Sequence, residues 1–80
     1  MKKIGVIAII VKEGRKSITK VNEILSDYAA EIHGRMGVPN LQKDVCVISL
    51  IVEMDSDTLG ALTGKLGQLS GVTVKSVMAA

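Results

Sequence analysis

The chain contains no tryptophan and no phenylalanine, and its one aromatic residue is Tyr28. Single-stranded nucleic acid is gripped largely by stacking bases on flat side chains, and this chain has almost nothing to stack them on. A core must therefore be built from Ile, Val, Leu, Met and Ala, in a composition that is 48% hydrophobic. The one cysteine, Cys46, lies in an apolar run. It has no partner for an internal disulfide and reads as a small buried hydrophobe, which fits the reducing cytoplasm. The one histidine, His33, has no sequence-evident acid or nucleophile beside it, and Ser49 and Cys46 fall in a strand expected to be buried, so an enzyme is not expected.

Charge of one sign is lacking too. The net charge is +2, with both signs scattered along the chain, so no basic stripe can neutralise a row of phosphates and no direct nucleic-acid contact is expected. No apolar run approaches the roughly 18 residues needed to span a membrane. Met1-Lys2-Lys3 followed by Ile4 to Val11 has the outline of a secretion signal, but the run is short and no small-residue cleavage site follows. Lys12, Glu13, Arg15 and Lys16 arrive at once, so a first strand is the better reading.

What is present is a single domain of 80 residues, 1–80, without repeat, linker or low-complexity segment. A core of that size is only marginally stable alone, and self-association would help it.

The organising stretch is Leu59 to Val77. Leu59, Leu62, Leu66 and Leu69 recur at steps of three and four, the spacing of one buried helix face. Gly60, Gly64 and Gly67 share the opposite face although each costs about 1 kcal/mol against alanine, so a close approach to that face is expected. Gly71 supplies the stop, and Val72-Thr73-Val74-Lys75 alternates as an edge strand does.

Upstream, Lys3 to Val11 is apolar at both parities, as a central strand is. Ile18, Val21, Leu25 and Tyr28 predict a helix over about Arg15 to Ala30, with Lys20, Asn22, Glu23 and Asp27 on its polar side. Glu31 to Val38 alternates, placing Ile32, Gly34, Met36 and Val38 on one face and His33 and Arg35 on the other, and Pro39-Asn40 breaks it. Val45 to Met54 is again apolar at both parities. Asp55-Ser56-Asp57 starts the second helix, with Ser56 or Asp57 as N-cap.

The order βαββαβ predicts an α+β, ferredoxin-like sandwich: an antiparallel sheet with strands one and three central and two helices on one face. The other face then carries one parity of each doubly apolar strand, which is expected to include Ile7, Ile9 and Val11. The third strand leaves either parity open. An apolar sheet face left in water would forfeit several kcal/mol at roughly 25 cal/mol per Å², so a homo-oligomer built through the sheet face or edge is expected.

Motifs that suggest chemistry have simpler explanations. Gly60-x-x-x-Gly64-Lys65 is one residue short of a phosphate loop and is followed by Leu66 rather than Ser or Thr. Asp55 and Asp57 resemble the opening of a calcium loop, but Leu66 stands where its bidentate Glu belongs, and helix capping accounts for both aspartates. His33 and Cys46 sit on adjacent strands of a predicted hairpin, and two ligands do not complete a metal site unless an oligomer doubles them. No cofactor is expected. The turn Lys12-Glu13-Gly14-Arg15-Lys16 could hold an anion on free amides at a helix N-terminus, and His33 with Arg35 could line an oligomer cleft.

Three segments carry a family resemblance: Asp57-Thr-Leu-Gly-Ala-Leu-Thr-Gly-Lys-Leu-Gly-Gln-Leu-Ser-Gly71-Val-Thr-Val-Lys, the Val21-Asn22-Glu23-Ile24-Leu25 helix and the Arg35-Met-Gly-Val-Pro39 strand end. Together they resemble the small proteins grouped as iron-only hydrogenase system regulators. The resemblance covers essentially the whole chain. It implies an ACT-like fold, similar to the C-terminal domain of the nickel-responsive repressor, association as dimers or tetramers, and a regulatory role. The chain lacks that repressor's three histidines and cysteine and lacks a DNA-binding helix motif, so neither nickel sensing nor operator binding is implied. ACT modules bind amino acids or related small molecules near the first strand-to-helix turn, which here is Lys12 to Lys16, with Gly14 as the small residue and Glu13 as the acidic one. The implied partners are a second copy, a small-molecule ligand and a regulated protein.

Overall fold

The computed structural model describes residues 1–12 and 15–79, with side chains at all of these except 15, 40 and 41. Strand β1 (Lys3–Lys12) leads into helix α1 (Arg15–Ser26), a 3-10 turn (Ala29–Glu31) leads into β2 (Ile32–Gln42), and β3 (Val45–Met54), α2 (Ser56–Gly67) and β4 (Val72–Met78) complete the order. The four strands form one antiparallel sheet ordered β2-β3-β1-β4. The doubly apolar strands are central and the alternating ones are edges.

The core lies between the sheet and the helices. Ile7, Ile9 and Val11 of β1, Ile48, Leu50, Val52 and Met54 of β3, Val21 and Leu25 of α1, Tyr28, and Leu62 and Leu66 of α2 are its buried members. Ile7, Ile9 and Val11 thus face the helices, opposite to expectation. The register supplies the reason: Ile9 pairs with Val74 and Val11 with Val72, so the apolar row of the alternating edge strand β4 continues their row. A strand apolar at both parities says nothing of which row that is.

Gly5 pairs with Met78 at one end of the β1–β4 ladder. A Cβ there would lie 2.7 Å from the Val77 carbonyl oxygen and run into the Met78 sulfur, so only glycine fits.

Helix α1 is shorter than its periodicity. It ends at Ser26, and Tyr28 reaches the core through a tight turn in which its amide donates to the Leu25 carbonyl at 3.0 Å. The Lys65 ammonium lies 5.2 Å from the centre of the Tyr28 ring, tying the end of this turn to α2. The N-cap of α2 is Asp55, ahead of the expected Ser56 or Asp57: its carboxylate accepts from the Thr58 amide at 2.7 Å. Gly71 has φ 74° and turns the chain into β4.

β2 departs most from the sequence reading, because it runs through Pro39 to Gln42 instead of ending at Val38. Proline removes a donor, but on an edge strand and within a register shift, here between Val38 and Gln42, no ladder bond is lost. A second shift lies between Ile32 and Gly34: Ile32 pairs with Val52 and Gly34 with Ile51, so His33 is an extra residue, a β-bulge.

Candidate functional site

Two surfaces remain after the core is accounted for. The first is the helix-free sheet face. Across it the register sets Val77, Val6, Ile51 and Gly34 in one row, Lys75, Ala8, Ser49 and Met36 in the next, and Thr73, Ile10, Val47 and Val38 in a third. Ile4 and Glu53 close the corner. Met36 and Val77 are each 68% exposed, and Ile4, Val6, Val38 and Ile51 are 40–54% exposed. The polar members stand at the margin, apart from Ser49. The exposed apolar area on this face, roughly 500 Å², is that of the largest apolar patch on an ordinary monomer, which is often a functional surface.

The second surface is a groove of about 650 Å³ between α1 and the β2–β3 hairpin, on the helix side of the sheet. Ile18, Pro39, Cys46 and Ile48 contribute apolar walls, and Thr19, Asn22, Arg35 and Asp44 contribute polar groups. The groove exists because β2 carries Arg35 and Gly37 on the row that β3 fills with Ile48 and Leu50, their pairing partners. A Cβ at Gly37 would meet nothing within 4 Å. The Arg35 guanidinium Nη2 donates to the Asn22 side-chain oxygen of α1, bridging the groove. Asp44 adopts φ 58° in the β2–β3 turn at its rim, a left-handed conformation that aspartate tolerates better than most residues.

The bulge separates the two strand residues that simple alternation puts on one face. His33 turns to the helix-free face, where its Nε2 lies 3.3 Å from a Glu53 carboxylate oxygen, while Arg35 turns toward α1. His33 and Arg35 therefore line no common cleft within one chain. Cys46, partly buried and paired with Val11 on the core row, faces the helices as well. His33 and Cys46 thus occupy opposite faces of the sheet, so an interface over one face collects only one of them. Among the described residues no group of three or more His, Cys, Asp or Glu could hold a metal.

Gly14 lies outside the described residues, as does the side chain of Arg15, whose backbone opens α1. A smaller depression of about 380 Å³ is lined by Lys16, Ser17, Lys20, Gln68, Leu69 and Ser70. The Ser17 hydroxyl donates to the Ser70 carbonyl at 3.0 Å, joining the start of α1 to the turn after α2. The outer face of α2 is open: a Cβ at Gly60, Gly64 or Gly67 would meet nothing within 4 Å. The expected close approach to that face does not occur among the described residues. No helix among the described residues is long and apolar enough to cross a membrane.

Asn22, Gly37 and Asp44 were not legible as site residues in the sequence. Asn22 reads as one member of a polar helix face, and only the bulge brings Arg35 opposite it.

This arrangement, a four-stranded antiparallel sheet with two helices on one face, is the ACT-like form of the ferredoxin fold. The ACT domain of the GTP pyrophosphokinase of Chlorobium tepidum superposes with a TM-score of 0.80 at 19% identity, over 96% of this chain and 100% of that one. A nitrogen regulatory PII-like protein of Thiomonas intermedia K12 superposes with 0.52 at 18% identity, over 99% and 97%. At those identities the likeness is one of fold. The particular family follows from residues 3–76, which match the TM1266-like family, described as "Iron-only hydrogenase system regulator, putative". The chain belongs to that family. It is 39% identical to the TM1266 protein of Thermotoga maritima, with a TM-score of 0.95 over 100% of both chains. A comparison with curated proteins returned no match.

Proposed function

We propose that the protein is a non-enzymatic regulatory module of an iron-only hydrogenase system, working in the cytoplasm as a homo-oligomer closed over its helix-free sheet face. The apolar face formed by Ile4, Val6, Met36, Val38, Ile51 and Val77 carries this reading. Two copies of that patch, at roughly 500 Å² each, reach the ~1,000 Å² that a specific interface must clear. A second copy suits the patch because its centre is apolar and its margin holds both signs, Glu53 at the end of β3 and Lys75 on the edge strand β4. Family membership supports the regulatory role. A dimer of such faces, or a tetramer that also uses the edges, would present the helices outward to a regulated protein.

Native mass spectrometry with light scattering tests the assembly. The wild-type protein is expected as a dimer or tetramer, and Val6→Glu together with Ile51→Glu as a folded monomer. A wild-type monomer at about 100 μM, where interfaces of micromolar affinity are filled, would overturn the reading.

A second reading, an amino-acid sensor of the ACT type at the first strand-to-helix turn, is favoured by the depression that Lys16, Ser17 and Lys20 line, where the two lysines leave positive charge at the N-terminal end of α1. A thermal-shift screen of the amino acids tests it. If none raises the melting temperature, this second reading falls and the oligomeric module stands.

A further inference from the structure

We propose that the groove between α1 and the β2–β3 hairpin is a binding site for a small organic monoanion, a carboxylate with a short apolar body. The acidic group would sit on Arg35 and the body against Ile18, Cys46 and Ile48.

The size fits such a molecule. At about 650 Å³ the groove falls within the 300–1,000 Å³ typical of small-molecule sites. It is a gap in the fold where the rest of the helix-facing sheet is filled by Ile, Val, Leu and Met. Gly37 leaves the middle of the floor bare, with no atom within 4 Å of where a Cβ would stand.

Charge names the ligand class. Arg35 is a cation on the helix-facing row of an edge strand, where alternation with buried Ile48 and Leu50 would favour an apolar residue. Among the described residues its side-chain partner is the neutral oxygen of Asn22, and no carboxylate pairs with it. A guanidinium has five N–H donors in a fork matched to two oxygens of a carboxylate, and the bond to Asn22 uses one of them at the groove wall. Asn22 holds the fork in position and costs it no charge. Asp44 on the rim adds the complementary restriction: it repels a second negative charge and so disfavours nucleotides and other polyanions. It can still accept from a hydroxyl or ammonium group on a monoanion.

The groove is built within one chain, largely on the helix side of the sheet, and shares only Val38 and Val47 of its lining with the face of the proposed interface. Occupancy therefore does not require assembly.

The test is a titration of the uniformly 15N-labelled protein with sodium hexanoate, followed by amide chemical shifts, with sodium sulfate as a parallel arm. Shifts that saturate by about 10 mM, as a Kd of about 1 mM or below gives, roughly 4 kcal/mol or more, and that cluster on Ile18 to Asn22, Arg35 to Val38 and Cys46 to Ile48 are expected. Arg35→Gln should weaken them at least about tenfold, as loss of a charge-assisted pair does, and Gly37→Leu should abolish them by filling the floor. If Gly37→Leu fails to fold, Arg35→Gln decides alone, since its side chain is exposed. No saturable shift, shifts elsewhere, or unchanged binding by Arg35→Gln would overturn the proposal. Equal response to sulfate would overturn the assignment to a carboxylate.

Discussion

A Cβ on Gly5 would stand 2.7 Å from the carbonyl oxygen of Val77, so the spacing of the β1 and β4 backbones depends on a hydrogen atom at that position. The opposing atom belongs to the backbone and cannot swing aside. Gly5→Ala is expected to destabilise by about 2 kcal/mol or more, in the range of overpacked sites. A urea midpoint indistinguishable from wild type would show that β4 can shift.

The glycines of α2 should behave in the opposite way. Nothing lies near a Cβ at Gly60 or Gly64, so Gly60→Ala and Gly64→Ala should each stabilise by roughly 0.5–1 kcal/mol, through the smaller entropy of the unfolded chain. A gain in melting temperature checks this. A loss would mean that some other surface lies against the helix in the assembled protein.

Leu66 is fully buried, and Leu66→Ala should cost about 2–5 kcal/mol, the range for a truncated core leucine. Leu59 and Leu69 belong to the same periodic stripe but only flank the core, and their truncation should cost less than half as much. Denaturation of the three variants side by side would establish the order.

Asp55 links stability to acidity. Hydrogen bonding from the Thr58 amide holds its carboxyl below the ordinary value of 3.8. A carboxylate whose folded pKa is depressed contributes stability that is fully present above the unfolded value and is lost as the pH falls through the lower folded one. Melting temperature should therefore drop more steeply below about pH 4 in the wild type than in Asp55→Asn, which caps the helix without titrating. Parallel acid profiles for the two proteins would contradict this.

The pair of His33 and Glu53 is exposed at both partners, so its removal should matter little to the folded chain. His33→Ala is expected within about 0.5 kcal/mol of wild type, as exposed pairs usually are. A larger loss on dilution than at high concentration would place the imidazole at an interface.

The elements were largely legible because each has a local cause. Leucine steps of three and four marked α2, two runs apolar at both parities marked β1 and β3, and Gly71 marked the entry to β4. Which parity of β1 faced the helices was not legible, since a two-faced strand carries no such mark until its register with Val72 and Val74 is known. The groove was hidden for a related reason. Alternation puts His33 with Arg35, and the bulge that parts them has no local sign: His33 is neither glycine nor proline. Pro39 carried the opposite signal, a break, because the sequence does not reveal that its missing donor faces away from any neighbour.

The bulge at His33 also sets how β2 would tolerate gain and loss of residues. With Ile32 turned inward and Gly34 outward, the flanking residues already obey ordinary alternation if His33 is skipped. Deletion of that single codon would join them into an unbroken strand, keep Ile32 against the core and Arg35 toward α1, and remove the imidazole alone. A codon inserted between Gly34 and Val38 would have no such neutrality. It would invert part of the strand, carrying a guanidinium onto the apolar sheet face or a thioether into the groove. Within one strand, lineages could therefore shed the histidine freely while the arginine stayed locked in frame.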